Sequence, residues 1–160
     1  MKVCVFAGTF DPITIGHTFV IDKCLEIFDK VIIALGVNQD KKPMFDLETR
    51  KKMIKLAVGD DSRVEITSFD GMLVDFMKKN NIKVNVRGIR DIDDYKYETT
   101  MERFNRDMYN DMTTIYIPTP KELVHISSSA IRTILSMNAE ASEYLPRAVC
   151  DFISAEKLGK

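Results

Sequence analysis

Residues 3–17 read VCVFAGTFDPITIGH. A short apolar run rich in β-formers, Val3 to Phe6, leads into a loop with Gly8 at one end and Gly16 near the other. Helical apolar spacing follows from His17 to Phe28, with Phe19, Val20, Cys24, Ile27 and Phe28 on one stripe. Strand, glycine-bearing loop, helix is the opening of a β-α unit. A plain connector needs neither Thr9 nor Thr14 nor His17. Gly8 permits close approach of backbone to a ligand. Gly16 and His17 fall at a helix N-terminus, where free N–H groups and the macrodipole favour anions. The same residues also suit an ordinary connection with a capping threonine and a surface histidine, so the loop alone leaves both readings open. Neither GxGxxG nor GxxxxGK[ST] occurs here, so a dinucleotide fingerprint and a P-loop are not indicated.

The pattern then repeats along the chain. Val31 to Val37 is a continuous apolar run, as a strand covered on both faces requires. Asp46 caps a helix through Val58, with Leu47, Ile54 and Ala57 facing in. Val64 to Phe69 alternates like a strand, Met72 to Lys79 is a short helix, and Val84 to Val86 a further strand. Asp93 to Asn110 is long, polar and helical, Thr113 to Ile117 is the fifth strand, and helices follow over Ser127–Met137 and Pro146–Lys157. Strands alternating with helices predict an α/β fold: a doubly wound, five-stranded parallel sheet, Rossmann-like, with C-terminal helices. With no linker or repeat, residues 1–160 read as a single domain.

Composition narrows the function classes. Formal net charge is −1, against the basic footprint that nucleic-acid binding leaves, so no nucleic-acid partner is expected. Cys4, Cys24 and Cys150 are scattered and form no CxxC pair, which suits structural thiols in a reducing compartment. No signal peptide and no apolar run of about 20 residues is visible, so a soluble, cytoplasmic chain without a membrane partner is expected.

In a doubly wound sheet, ligands bind beyond the carboxyl ends of the strands, where strand order reverses. Four strand-end segments carry chemistry there. The first is the opening loop. The second, NQDKKPMFD, brings Lys41 and Lys42, able to neutralise phosphate or to form a solvated turn. The third, RGIRDIDDYKYE, has Arg87 and Arg90, whose guanidinium forks fit phosphate oxygens unless Asp91, Asp93 or Asp94 engage them. The fourth, ISSSAIR, opens a helix with three serines and places Arg132 one turn in; Ser127 can be an N-cap, or the serines an anion cradle. Cations, hydroxyls and helix N-termini without a nucleophile–base pair suit phosphoryl or nucleotidyl transfer, where the protein positions reactants and stabilises charge.

GTFDPITIGH resembles the T/HxGH signature of the nucleotidyltransferase superfamily. A threonine at position 14, followed in order by KKPMF, RGIR, YKYE and ISSSAIR, resembles the bacterial phosphopantetheine adenylyltransferase family along the whole chain. The resemblance implies ATP and 4′-phosphopantetheine as substrates and dephospho-coenzyme A and pyrophosphate as products. It implies direct in-line attack without a covalent enzyme intermediate, Mg2+ entering with ATP, coenzyme A as a feedback ligand, and a homohexamer built as a dimer of trimers. Carried over by motif, the catalytic residues are His17, Thr9, Lys41 and Arg90. Thr9, Lys41, Leu73 and Arg87 bind phosphopantetheine. ATP is bound by Thr9, Phe10 and His17, by Gly88, Ile89 and Arg90, by Glu98, and by Leu123, Val124, His125, Ile126, Ser127, Ser128 and Ser129. No residue of the chain is assigned as a metal ligand. The chain departs from the family's pattern at Leu123-Val124-His125, where an aromatic and a small residue are usual before the serines.

Overall fold

The computed structural model describes residues 1–38 and 42–158. Five parallel strands, β1 (Val3–Gly8), β2 (Lys30–Val37), β3 (Val64–Asp70), β4 (Val84–Ile89) and β5 (Thr113–Pro118), form one sheet in the order β3-β2-β1-β4-β5. The chain winds outward from β1 to β3, then returns to pair β4 on the other side of β1. The order reverses between β1 and β4, which opens a crevice at their carboxyl ends.

The central strands are buried because helices cover both faces, and their composition follows. Residues 31–35 of β2 are all buried. On one face, Cys4, Phe6, Ile33 and Val86 pack against α1 (Ile15–Ile27), α2 (Leu47–Val58), α5 (Ser128–Ser136) and α6 (Arg147–Leu158). On the other, Val5, Ala7, Ile32 and Ala34 meet Val74 and Met77 of α3 (Leu73–Lys79). Each valine or isoleucine among them contributes about 2 kcal/mol by leaving water. Cys4 and Cys24 are buried free thiols, and the neighbouring Cys24 with burial pushes the Cys4 thiol well up from its ordinary value. Lys52 of α2 lies 4.5 Å from the Phe152 ring centre and stitches α2 to α6. Gly88 lets α1 reach β4: a Cβ there would stand 2.9 Å from Val20 Cγ2.

Two expectations shift. α1 begins at Ile15 rather than His17, since Thr14 is its N-cap and the first turn carries little of the apolar stripe. Ile27, placed on the buried stripe, is half exposed at the end of α1, where the chain turns into β2. α4 (Ile92–Met108) matches the long polar helix in extent, with the Asp91 carboxylate capping the N–H groups of Asp93 and Asp94 at 3.0 and 2.8 Å. It has no buried residue. Among the described residues, no helix is long and apolar enough to cross a membrane.

Candidate active site

A cavity of about 550 Å³ lies at the reversal point. Thr9, Phe10 and His17 wall it from the first β-α unit, and Arg87, Gly88, Arg90 and Glu98 from β4 and α4. Leu123, Ile126 and the serines 127–129 close the third side. Four of the expected residues stand elsewhere. Ile89 and Val124 are not part of the wall, Leu73 packs against the smaller core, and His125 sits edge-on to Tyr144 at 6.0 Å. Lys41 lies outside the described residues; its neighbour Lys42 and Pro43 line the cavity.

The Thr14–His17 turn explains the first motif. Thr14 Oγ accepts the His17 N–H at 3.4 Å, while the His17 ring reaches back to the Thr14 N–H. This is a capping box with histidine in the place where glutamate or glutamine usually stands. Its consequence is chemical. The Thr14 N–H donates to His17 Nδ1 at 3.0 Å, and the Thr14 hydroxyl lies 3.0 Å from the same nitrogen. Nδ1 is therefore an acceptor, and the ring proton sits on Nε2. Burial, then the charges of Arg90 and Arg87, lower the His17 pKa to about 4. At neutral pH the ring is uncharged and offers one Nε2–H donor. Phe10, 5.0 Å from the imidazole and 5.4 Å from Phe6, packs it from the side.

The two arginines of RGIR are held differently. Arg87 donates through Nε and Nη2 to the Glu98 carboxylate, a bidentate pair, and through Nη1 to the Ala7 carbonyl at 2.8 Å. A guanidinium has five N–H groups, so each Arg87 terminal nitrogen retains one for a ligand. Arg90 is bidentate with Asp94 at 2.8 and 3.0 Å, and that guanidinium holds the Asp94 carboxyl below its usual range. Asp94 and not Asp91 or Asp93 thus services Arg90, and the α4 carboxylate on Arg87 is Glu98.

The GTFDP loop is bound from outside itself. Ser128 Oγ donates to the Pro12 carbonyl at 2.8 Å, and Arg132 Nη1 to that of Asp11 at 2.8 Å. Arg132 Nη2 also reaches Ser129 Oγ at 3.0 Å, and Ser127 caps α5 by accepting the Ala130 N–H. Two residues to which the sequence assigned no role, Asp11 of the opening loop and Arg50, complete the arrangement. The buried Asp11 carboxylate accepts the Met44 and Phe45 N–H groups at 2.8 and 2.9 Å, pinning the segment that follows the lysines. Arg50 of α2 donates to the Thr9 carbonyl at 2.8 Å. Neither has a local signal: an aspartate in a loop and an arginine on a charged helix look like surface residues. Among the described residues, no group of three or more His, Cys, Asp or Glu side chains is placed to hold a metal ion.

A cavity at the switch point of a parallel sheet, walled by a T-x-G-H turn, arginines and a serine-opened helix, defines a nucleotidyltransferase. The cytidylyltransferase-like family model matches residues 5–134, and the chain belongs to that family. Within it the chain sides with the phosphopantetheine adenylyltransferases. It is 38% identical over 99% of its length to phosphopantetheine adenylyltransferase of Heliobacterium modesticaldum, covering 94% of that protein. It is 37% identical to that of Clostridium tetani, with both chains fully covered. The fold matches Plasmodium falciparum nicotinic acid mononucleotide adenylyltransferase in complex with NaAD at a TM-score of 0.71, with 17% identity, over 98% of this chain and 96% of that one.

Proposed function

We propose that this enzyme joins ATP and 4′-phosphopantetheine into dephospho-coenzyme A and pyrophosphate. A phosphate oxygen of the acceptor attacks the α-phosphorus of ATP, the bond to the bridging α–β oxygen breaks, and pyrophosphate leaves with that electron pair. The observation that carries the reading is His17, whose Nδ1 is occupied by the Thr14 N–H so that Nε2–H is its free donor, in one cavity wall with Arg87 and Arg90. A fixed Nε2–H is a donor ready for charge that builds on an α-phosphate oxygen in the transition state. In this reading Thr9 and His17 face the α-phosphate, and Arg90, Gly88, Ile89 and Glu98 serve the nucleotide with the stretch 123–129. Lys41 and Arg87 take the acceptor phosphate, and Leu73 contributes to the pantetheine side.

Magnesium enters with the ATP phosphates. The cavity's own carboxylates do not fit a cage: Asp11 is engaged by two N–H groups, Asp94 by Arg90 and Glu98 by Arg87. Coenzyme A, which contains the product's phosphopantetheine arm, is read as a feedback ligand of the same cavity. The protein is read as cytoplasmic and as a homohexamer, a dimer of trimers. Support for association comes from α4, where Ile92, Tyr97 and Phe104 are 63%, 65% and 60% exposed on one helix. Sedimentation at micromolar concentration tests it, and a monomer there refutes it.

The reaction is tested by supplying Mg2+, ATP and 4′-phosphopantetheine and measuring pyrophosphate. Nicotinate mononucleotide with ATP and glycerol phosphate with CTP are the controls. Release from either control and none from phosphopantetheine overturns the reading.

A further inference from the structure

Arg50 is the odd arginine around the site. Arg87, Arg90 and Arg132 each lie within ion-pair distance of a carboxylate: Glu98, Asp94 and, at 4.0 Å, Asp11. Arg50 is more deeply buried than any of them, at 5% exposure, and has no such partner among the described residues. Its Nε is buried without a hydrogen bond. The Asp46 carboxyl, four residues back at the exposed cap of α2, feels its field weakly. Burying a guanidinium without a counter-ion is unfavourable, and such arrangements persist where a function over-determines them.

What Arg50 holds is a strained peptide. Its Nη1 donates to the Thr9 carbonyl at 2.8 Å, and the next residue, Phe10, has φ +48°. That region is a genuine outlier for a bulky side chain. In a trans peptide the carbonyl and the following N–H point opposite ways. Drawing the Thr9 carbonyl toward α2 therefore turns the Phe10 N–H away from α2, on the side where Thr9 and Phe10 wall the cavity and Arg50 does not. Phe10 itself is 1% exposed, so the backbone, not the ring, is what it can present to a ligand.

We propose that Arg50 is a positioning residue of the transfer reaction: it holds the Thr9–Phe10 peptide so that the Phe10 N–H and the Thr9 hydroxyl face the reacting phosphate. The proposal rests on the adenylyl-transfer reading above. Arg50 touches no substrate and acts through the loop.

The test is Arg50→Met, which keeps length and removes the cation and donor. Turnover per folded molecule falls about 10- to 100-fold while KM for ATP changes by no more than about 3-fold. The thermal midpoint stays level or rises, because an uncompensated buried charge is gone. Arg50→Lys, which keeps one donor, recovers a large part of the turnover. Amide hydrogen exchange in 8–13 speeds up selectively in the methionine variant, with β4 unaltered. Unchanged turnover per folded molecule, or unchanged exchange in 8–13, overturns the proposal. Should the methionine variant not fold, the lysine and Arg50→Gln variants carry the same comparison. If the parent releases no pyrophosphate from phosphopantetheine, the proposed reaction fails, and the exchange measurement still decides whether Arg50 holds the loop.

Discussion

The two flanks of the cavity are built by opposite means. On the β1 flank, the GTFDP loop is fixed by side chains of α2 and α5. Ser128, Arg132 and Arg50 take the carbonyls of Pro12, Asp11 and Thr9, and the Asp11 carboxylate takes two amides. On the β4 flank, the cations are bound to carboxylates of α4. That helix turns Asp94, Glu98, Glu102 and Asn105 toward half-buried positions and leaves Ile92, Tyr97, Met101 and Phe104 outside. Beneath it, Asn85 and Thr114 pair across β4 and β5, as do Arg87 and Tyr116. The Asn85 Oδ1, Thr114 Oγ and Tyr116 hydroxyl there are buried without partners. One flank is preorganised by converging donors on a buried frame. The other is a polar seam under a helix whose apolar side faces outward, so its ion pairs are the competitors that an incoming phosphate meets.

The comparison is sharpened first at the residue both flanks address. His17→Gln should lower turnover by about 10²–10³-fold with nucleotide affinity changed far less, the loss expected for a transition-state donor. Equal losses in binding and turnover, read by calorimetry and steady-state kinetics, count against that role. The same histidine gives a pH signature. Its pKa is about 4 when folded and near 6.5 when unfolded, so between those values the unfolded chain binds the extra proton. Its contribution is present above about pH 6.5 and is lost as pH falls through the window, by about 3 kcal/mol in all. Denaturant unfolding of the parent and His17→Gln at pH 7 and pH 4.5 should show the parent losing more; parallel curves refute the assignment.

Next come the flanks themselves. Asp11→Ala leaves the Met44 and Phe45 amides without their acceptor and should cost about 2–3 kcal/mol of folding stability by denaturant unfolding. A loss under about 1 kcal/mol breaks the claim that the β1 flank is the rigid one. The smallest effect is expected at Glu98→Gln. Its pair with Arg87 is partly exposed, so stability should move by under about 1 kcal/mol. Freed from a competing carboxylate, Arg87 should bind the acceptor phosphate several-fold more tightly, about 3- to 10-fold by titration with 4′-phosphopantetheine. Weaker acceptor binding would make Glu98 a support of the site instead of a competitor.

Much of this was legible in the chain. Apolar runs such as Val31 to Val37 and the helices between them specify strands and crossovers through side-chain period alone. The strand-end segments follow, because a parallel sheet has one carboxyl edge. The serines of ISSSAIR were open between cap and cradle, and the structure gives Ser127 the cap and turns Ser128 to the loop. Less legible was anything that depends on partners distant in sequence. Arg50 and Thr9 are 41 residues apart, Asp11 and Met44 33, and Arg132 and Asp11 121. No local window contains both partners of any of these pairs, and one around Arg50 reads it as a surface charge. α4 was legible as a long polar helix, but not which of its stripes meets the sheet: Asp94, Glu98, Glu102 and Asn105 are half-buried.

By itself, then, the sequence determined the alternation of strands and helices and the edge where chemistry gathers, since these rest on local period and composition, and its motifs carried the resemblance to the nucleotidyltransferases. Only the tertiary structure decided that His17 is neutral and protonated on Nε2, that Arg87 and Arg90 are already paired, and that Arg50 and Asp11 shape the loop. Burial, tautomer and pairing are set by what surrounds a group in space, and those neighbours arrive from the far ends of the chain.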